Sequence, residues 1–558
     1  MGTLRIGSSG TEVVDLQKAL IKIGFAPSLT SGKFDTATRD AVVKFQKSRV
    51  WLVADGIVGP ISQMEIDYAV EDIDGETALK SVASGTTSLN ISAINDNRPL
   101  AKKVQKKLNA LGLYPGGKLI DGDFGSRSQK ALIDFCQSQG ISSSSPIQLS
   151  PSIANSLSAT LQIPEILTVR GKDTSQILKK YKDIEQFVGA SDAKLAFLDF
   201  GVEVTAYKTH IPEYPSRLAV TASIPEPTSS HSSLKFSPYP ARGTLASIDT
   251  NTLKFLDAGI TEACVVIGQI NSGKLETTWL GKNALTSDEC LSATKIIPIL
   301  NVLCQLGNKL PSDLDNLSIQ NQGTVDQTIR FPSALIDVVS YRKGVPHSNG
   351  LAKTFKLFST PDQIESWIRG QTGNKDPNLN FEGPYGPFDF INLPEIVNLE
   401  NNEKPLISEG NSLSKDNDIS VYDLARLMSM IGWHQLLTPS GLQLENVEWK
   451  GLESFITALG TDTARYIDVA IETLGLVNVI SSPVILSKLG YGNEALVYVA
   501  FVQFVDEHIP GSPKLRTFTI ALRTDKNPPD ASQAIPSDTK MAAAVTEIVR
   551  RIVTEEAF

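Results

Sequence analysis

Two stretches of this chain repeat one another. Leu16-Gln17, Leu20 and Gly24 recur as Val104-Gln105, Leu108 and Gly112 at an offset of 88, and Phe34, Ala41 and Phe45 recur as Phe124, Ala131 and Phe135 at an offset of 90. A two-residue insertion separates the halves of the match. Repetition of this kind marks a duplicated folding unit, and a unit this short must close its core with a few packed helices.

The first copy reads as a three-helix module over residues 4 to about 70. Val13, Leu16, Leu20 and Ile23 recur at helical spacing, Thr11 with a nearby carboxylate caps this helix, and Gly24 ends it. Gly32 to Thr38 leads into a second helix, Arg39 to Lys47, with Ala41, Val42 and Phe45 inward, and Asp55-Gly56-Ile57-Val58-Gly59-Pro60 turns into a third. The series G-x-x-G-x-x-V-x-x-L-Q, G-x-F-D-x-x-T-x-x-A-V-x-x-F-Q and D-G-I-V-G resembles the peptidoglycan-binding domain type 1 along its whole length. That resemblance implies bacterial cell wall as a partner, with Gln17, Phe34, Asp35, Phe45, Gln46 and Asp55 as candidate binding residues; the fold also serves as a plain interaction module. The divergent copy over residues 96–162 carries the same implication. Between the two, residues 71–95 shift to Glu, Asp, Ser, Thr and Gly, the composition of a linker.

A chain of 558 residues exceeds one core and calls for three or more domains. Its net charge of -9 and pI near 5.3 argue against a nucleic-acid partner, since no basic patch is present to displace counterions from phosphates. No run approaches the roughly 18 consecutive apolar residues of a membrane span. Four cysteines without C-x-x-C and five scattered histidines without a ligand pair call for no metal or other cofactor. Met1 to Gly7 lacks the charged and apolar segments of a leader, so an expected place in the cell envelope or periplasm leaves retention in the cytoplasm and non-classical export open. Residues 141–245 are the least legible, with linkers at Ser142–Pro146 and Pro225–Ser230; within them residues 163–243 are of unclear fold, with a helix from Ser175 to Phe187 and alternation over Leu195–Thr205 that predicts strands.

The chemistry concentrates in residues 244–558. Ser292 stands three positions before Lys295 at the head of an apolar helix, which puts both side chains on one face. A serine hydroxyl is a poor nucleophile until a base takes its proton, and a desolvated lysine can be that base. Downstream come Pro346-His347-Ser348-Asn349-Gly350 and Ser487-Lys488-Leu489-Gly490, followed by apolar strands near 495–504 and 516–523 and a helix from Asp538 to Glu555. Serine, then asparagine, then a lysine-glycine strand is an order that resembles the penicillin-recognising serine hydrolases, class A β-lactamases and D-Ala-D-Ala peptidases. The spacing of 57 residues from Ser292 to Asn349 suits that family, whereas 139 from Asn349 to Lys488 implies an insertion.

The resemblance implies that Ser292 attacks a carbonyl, Lys295 takes its proton, Asn349 orients the substrate amide, Lys488 holds a carboxylate, and Gly490 belongs to the strand lining the site. Backbone N–H groups of Ser292 and of a residue near Tyr491 or Gly492 would hold the oxyanion. The usual S-x-N starts here either at His347 or, with the register shifted, at Ser348. Leu489 stands where a hydroxyl residue is usual. Glu395, followed by Asn398, is a further candidate for activating the deacylating water. The expected fold is two small all-α three-helix domains, then an α+β domain with an antiparallel sheet covered by helices. The expected function is a cell-wall-binding serine hydrolase acting on a peptidoglycan-related peptide or a β-lactam. The alternative is a peptidoglycan-binding structural or interaction protein whose hydrolase-like domain has lost catalysis through Leu489 and His347.

Overall fold

The computed structural model describes residues 3–27, 30–49, 52, 54–159, 174–188, 190–191, 195–221, 234–323, 328–388, 390–414, 416–509, 511–525, 534–556 and 558. The chain forms two compact units, Met1–Pro164 with Glu472–Val479, and Glu165–Ile471 with Ile480–Phe558.

The first unit is helical. Helix α1 (Thr11–Lys22) buries Val13, Leu16, Gln17 and Leu20, and α2 (Thr36–Lys47) buries Ala41, Val42 and Phe45. Gly10, not Thr11, is the residue before α1, and no side chain caps that helix; Asp35 caps α2 by accepting from Thr38 N. Helix α3 (Pro60–Ser84) runs through most of the stretch expected as a linker. The short α4 (Ile91–Asn95) follows, then α5 (Arg98–Ala110), α6 (Ser126–Ser138) and α7 (Pro151–Ala159).

The acidic residues that suggested a linker face a basic helix. Glu71 meets Lys102 at 2.7 Å, Asp72 meets Lys106 at 2.7 Å, and Glu76 meets Lys103 at 3.1 Å, all between α3 and α5. A Cβ at Gly75 would lie 2.4 Å from Pro99 O, so glycine lets the two helices meet closely. Ile66 belongs to the core of the first module and Leu79 to that of the second, so α3 is common to both. A helix anchored in two cores does not act as a flexible tether.

The second unit is built on a seven-stranded sheet. Strands β1 (Ile260–Asn271), β2 (Lys274–Lys282), β3 (Ile480–Tyr491), β4 (Ala495–Asp506) and β5 (Lys514–Asp525) run in the order β2-β1-β5-β4-β3, all antiparallel. Short strands at Ser237–Pro238 and Ile248–Asp249 pair with β2. Ser272 and Gly273, with φ of 52° and 74°, make the tight turn between β1 and β2. β3 is an edge strand of this sheet.

Helices cover both faces. Trp433, just after α12 (Val421–Gly432), donates to Thr517 Oγ1 and packs its ring on Phe501, while Tyr466 donates to Asp538 of α13 (Ala534–Thr554) and packs on Tyr498. Phe501 and Tyr498 are three residues apart on one strand and so point to opposite faces. Helix α8 (Thr174–Val188) precedes the sheet, and α9 (Ile296–Leu306), α10 (Phe331–Ser340) and α11 (Val345–Lys356) run between β2 and α12.

The residues of unclear fold join this unit where they are described. Tyr181 of α8 hydrogen-bonds Thr546 of α13. Leu195–Thr205 is turn and 3-10 helix, not strand. Asp199 accepts from Leu195 N, and Asp538 accepts from Phe197 N and Leu198 N at 2.9 Å, which takes up the donors a strand would need. Pro225–Ser230 lies outside the described residues.

Candidate active site

Ser292 lies in a 3-10 turn, Leu291–Lys295, that opens α9. In a 3-10 turn residues i and i+3 eclipse, so Ser292 and Lys295 project together. Leu291 holds a φ of 52°, a left-handed conformation costly for a leucine, beside the serine it positions. Gly490 explains how the sheet comes this near: a Cβ there would lie 2.5 Å from Cys290 O and 2.9 Å from Ala293 N. The edge strand β3 thus runs against the Ser292 turn.

Lys295 is fully buried. Its Nζ donates to Ser348 Oγ at 2.9 Å and to Asn349 Oδ1 at 2.6 Å, both on α11. The Ser348 hydroxyl gives its own proton to Val338 O at 2.7 Å, which leaves its oxygen as an acceptor for Lys295. Burial, and then the neighbouring Lys488, push the Lys295 amine well below the ordinary lysine range. A neutral amine with two N–H groups so engaged keeps its lone pair for a third partner.

The hydroxyl register is therefore Ser348-Asn349. His347 is turned away, its Nε2 3.3 Å from Asp337 Oδ2 and its ring edge-on to Phe390, and Lys343 binds the same carboxylate at 2.7 Å. Glu395 is also not brought to Ser292. It lies on a separate strand, Pro394–Asn398, where it accepts from Gln320 at 2.8 Å and pairs with Lys404 at 2.9 Å.

Tyr341 is a residue the sequence reading missed. It ends α10 at a φ of 52°. Its hydroxyl accepts from Lys488 Nζ at 2.7 Å and lies close to Ser292. Its ring has Lys295 Nζ at 4.9 Å and Lys488 Nζ at 4.2 Å from its centroid. Burial raises the phenol far above its usual range, so it stays protonated. Nothing in one sequence signals this role, because the placement depends on a left-handed residue at a helix end.

Lys488 is fully buried, not a free cation. Besides Tyr341, its Nζ donates to Leu489 O at 3.0 Å and has Asp462 at 3.9 Å. Burial lowers its pKa while Asp462 opposes the shift. A further wall comes from Tyr385, whose hydroxyl is 3.0 Å from Thr294 Oγ1 and whose ring is 5.8 Å from Lys295. Lys356, another buried amine, fixes that loop by donating to Gly383 O and Asn417 Oδ1.

The six residues assigned to wall binding turn out to hold the framework. Gln17 Nε2 donates to Lys33 O at 3.0 Å and Thr38 Oγ1 at 2.9 Å while its Oε1 accepts from Gly32 N at 3.0 Å. Gln46 grips Gly56 N, Ile57 O and Ser62 Oγ in the same way. Gln105 does so with Gly122 N, Asp123 O and Ser128 Oγ. Each amide clamps the loop before a helix and the hydroxyl on that helix's third residue. Phe34 and Phe45 are core, Asp35 is a cap, and Asp55 accepts from Ile57 N and Gln46.

Among described residues no helix is long and apolar enough to cross a membrane. None of the curated proteins matches. Among solved structures the chain is similar to a beta-lactamase from Desulfarculus baarsii, at 14% identity and TM-score 0.32, over 53% of this chain and 96% of that one. A class A beta-lactamase from Mycobacterium abscessus gives 15%, 0.32, 53% and 96%, and a beta-lactamase from Streptosporangium roseum 14%, 0.33, 55% and 97%. Residues 9–61 match the family model described as "Putative peptidoglycan binding domain".

Proposed function

We propose that this protein is a cell-wall-associated serine acyl hydrolase, in which Ser292 forms an acyl-enzyme. The observation that carries the reading is the fully buried Lys295, with two N–H groups engaged by Ser348 and Asn349 and a pKa lowered by burial, on the same turn as Ser292. Ser292 Oγ attacks an ester or amide carbonyl, and Lys295 accepts its proton and gives it to the leaving group, while the Tyr341 phenol, supported by Lys488, stays protonated beside them. Asn349 keeps the substrate-orienting role, and the oxyanion is held by Ser292 N with a backbone N–H of β3 near Tyr491. Glu395, with its two partners elsewhere, does not serve deacylation, so the acyl-enzyme is expected to accumulate. Intact-mass measurement with a reactive ester tests this: a stoichiometric adduct on Ser292, absent in Ser292→Ala, is expected, and an adduct on another serine would sink the assignment.

Peptidoglycan is the proposed partner of residues 9–61, and of the second module through its shared glutamine clamp and the common helix α3. The full chain should sediment with purified peptidoglycan more than a chain lacking residues 1–159. Equal sedimentation would remove the wall-binding role from these modules.

A further inference from the structure

We infer that the acyl donor for which this site is built carries no carboxylate beside the scissile bond, and is neutral or cationic on its leaving-group side. This rests on the acyl-transfer reading above and names its substrate class. The cation expected to receive a carboxylate is not offered to one. Lys488 is fully buried beneath Tyr341, with two N–H groups donated at 2.7 and 3.0 Å and Asp462 at 3.9 Å. A substrate carboxylate would have to displace the Tyr341 phenol from Lys488. The next residue of the strand, Leu489, has no side-chain donor to add.

The charge around the turn has the same sense. Asp288 and Glu289 lie on the strand Ser287–Glu289 that leads into Ser292, and they pair in register with Ile419 and Asp418. Asp416 and Glu494 are exposed nearby: burial raises the Glu289 carboxyl, and Glu494, Asp416 and Asp418 raise it further. The Leu291 side chain connects this group to the hairpin after β3, since a Cβ at Gly492 would meet Leu291 Cδ2 at 2.9 Å. Arg523, the guanidinium that reaches the cluster, is occupied by Glu262 and Asp288 at 2.9 Å and Asp525 at 2.6 Å. An anion approaching here meets carboxylates from three chain segments, whereas an ester, an amide or an amine does not.

The test compares two benzoylglycyl thioesters on the intact protein, one with thioglycolate as leaving group and the other with its methyl ester. Thiol release gives kcat/KM and intact mass gives the Ser292 adduct. The methyl ester should be preferred at least tenfold, and the preference should narrow severalfold at high salt and in the exposed double variant Asp416→Asn/Glu494→Gln. Leu489→Thr should narrow it as well. Acylation of Ser292 led by the thioglycolate, or equal for the two, overturns the inference and leaves the hydrolase reading standing. Ser292 left unmodified by both thioesters overturns the hydrolase reading and the inference together.

Discussion

The helical unit and the sheet-bearing unit both bury polar side chains completely, yet they bury them differently. Gln17, Gln46 and Gln105 are neutral amides whose donors and acceptor meet a backbone N–H, a backbone C=O and a hydroxyl. Lys295 and Lys488 are amines kept from water, and burial drives down the pKa of each. A satisfied neutral amide specifies a loop conformation and stays silent chemically. A buried amine without a close carboxylate is held in a state that favours losing its proton, which is what a base requires. Equal burial therefore separates architecture from chemistry once the partners are counted.

The largest expected effect tests the chemical half of that contrast. Ser292→Ala should abolish covalent labelling by a fluorophosphonate. Lys295→Met should slow labelling by about 10²- to 10⁴-fold, the usual contribution of a positioned base. The methionine removes a buried amine, so the thermal midpoint should stay level or rise. A loss of folding in Lys295→Met with labelling intact per folded molecule would reverse the assignment. The pH dependence has a definite sign: Lys295 must be neutral, so labelling should rise with pH and level off well below the ordinary lysine range of about 10.4. A plateau reached only near that value would mean the amine is not desolvated in solution.

The architectural half predicts the opposite pattern. Gln17→Leu leaves Gly32 N without its acceptor and takes one bond each from Lys33 O and Thr38 Oγ1, and should cost about 2–3 kcal/mol. Hydrogen exchange should quicken over residues 30–38 while labelling of Ser292 keeps its rate. A smaller step is Tyr341→Phe, which keeps the ring between the two amines and removes the hydroxyl. Labelling should fall about tenfold with its pH inflection unmoved, because Lys295 keeps both its partners. A shifted inflection would instead make Tyr341 part of the base.

What the sequence made legible follows from how local each cause is. The α1 stripe, the apolar strands near 495–504 and 516–523 and the closing helix depend on neighbours in the chain, and they are where expected. Asn349 was reached through order and spacing, and the choice between His347 and Ser348 needed the position of Asp337, ten residues from His347 on another helix. The misread linker failed for the same reason, since Glu71, Asp72 and Glu76 are stabilised in a helix by lysines about thirty residues on. Leu195–Thr205 lost its strand to Asp538, 340 residues away. Tyr341 left no local trace at all.

The smallest effect lies inside the repeat itself and concerns a clamp that is missing. At the offset of 90, Cys136 occupies in the second module the place of Gln46 in the first. The third residue of the following helix changes with it: Ser62, which Gln46 grips, has its counterpart in Ile153 of α7, and Cys136 and Ile153 are both buried in one apolar core. A polar pair has been exchanged for an apolar pair, which is how a buried hydrogen bond can be removed at little cost, since neither partner is left unsatisfied. Cys136→Gln or Ile153→Ser alone should each destabilise this module by about 1–3 kcal/mol, because each buries a polar group without its mate. Made together they should cost less than their sum, with a coupling of about 0.5–1 kcal/mol read from hydrogen exchange at the α6 amides. Strict additivity would mean that the two positions do not face one another as Gln46 and Ser62 do, and that the second module closes its last loop by a different packing.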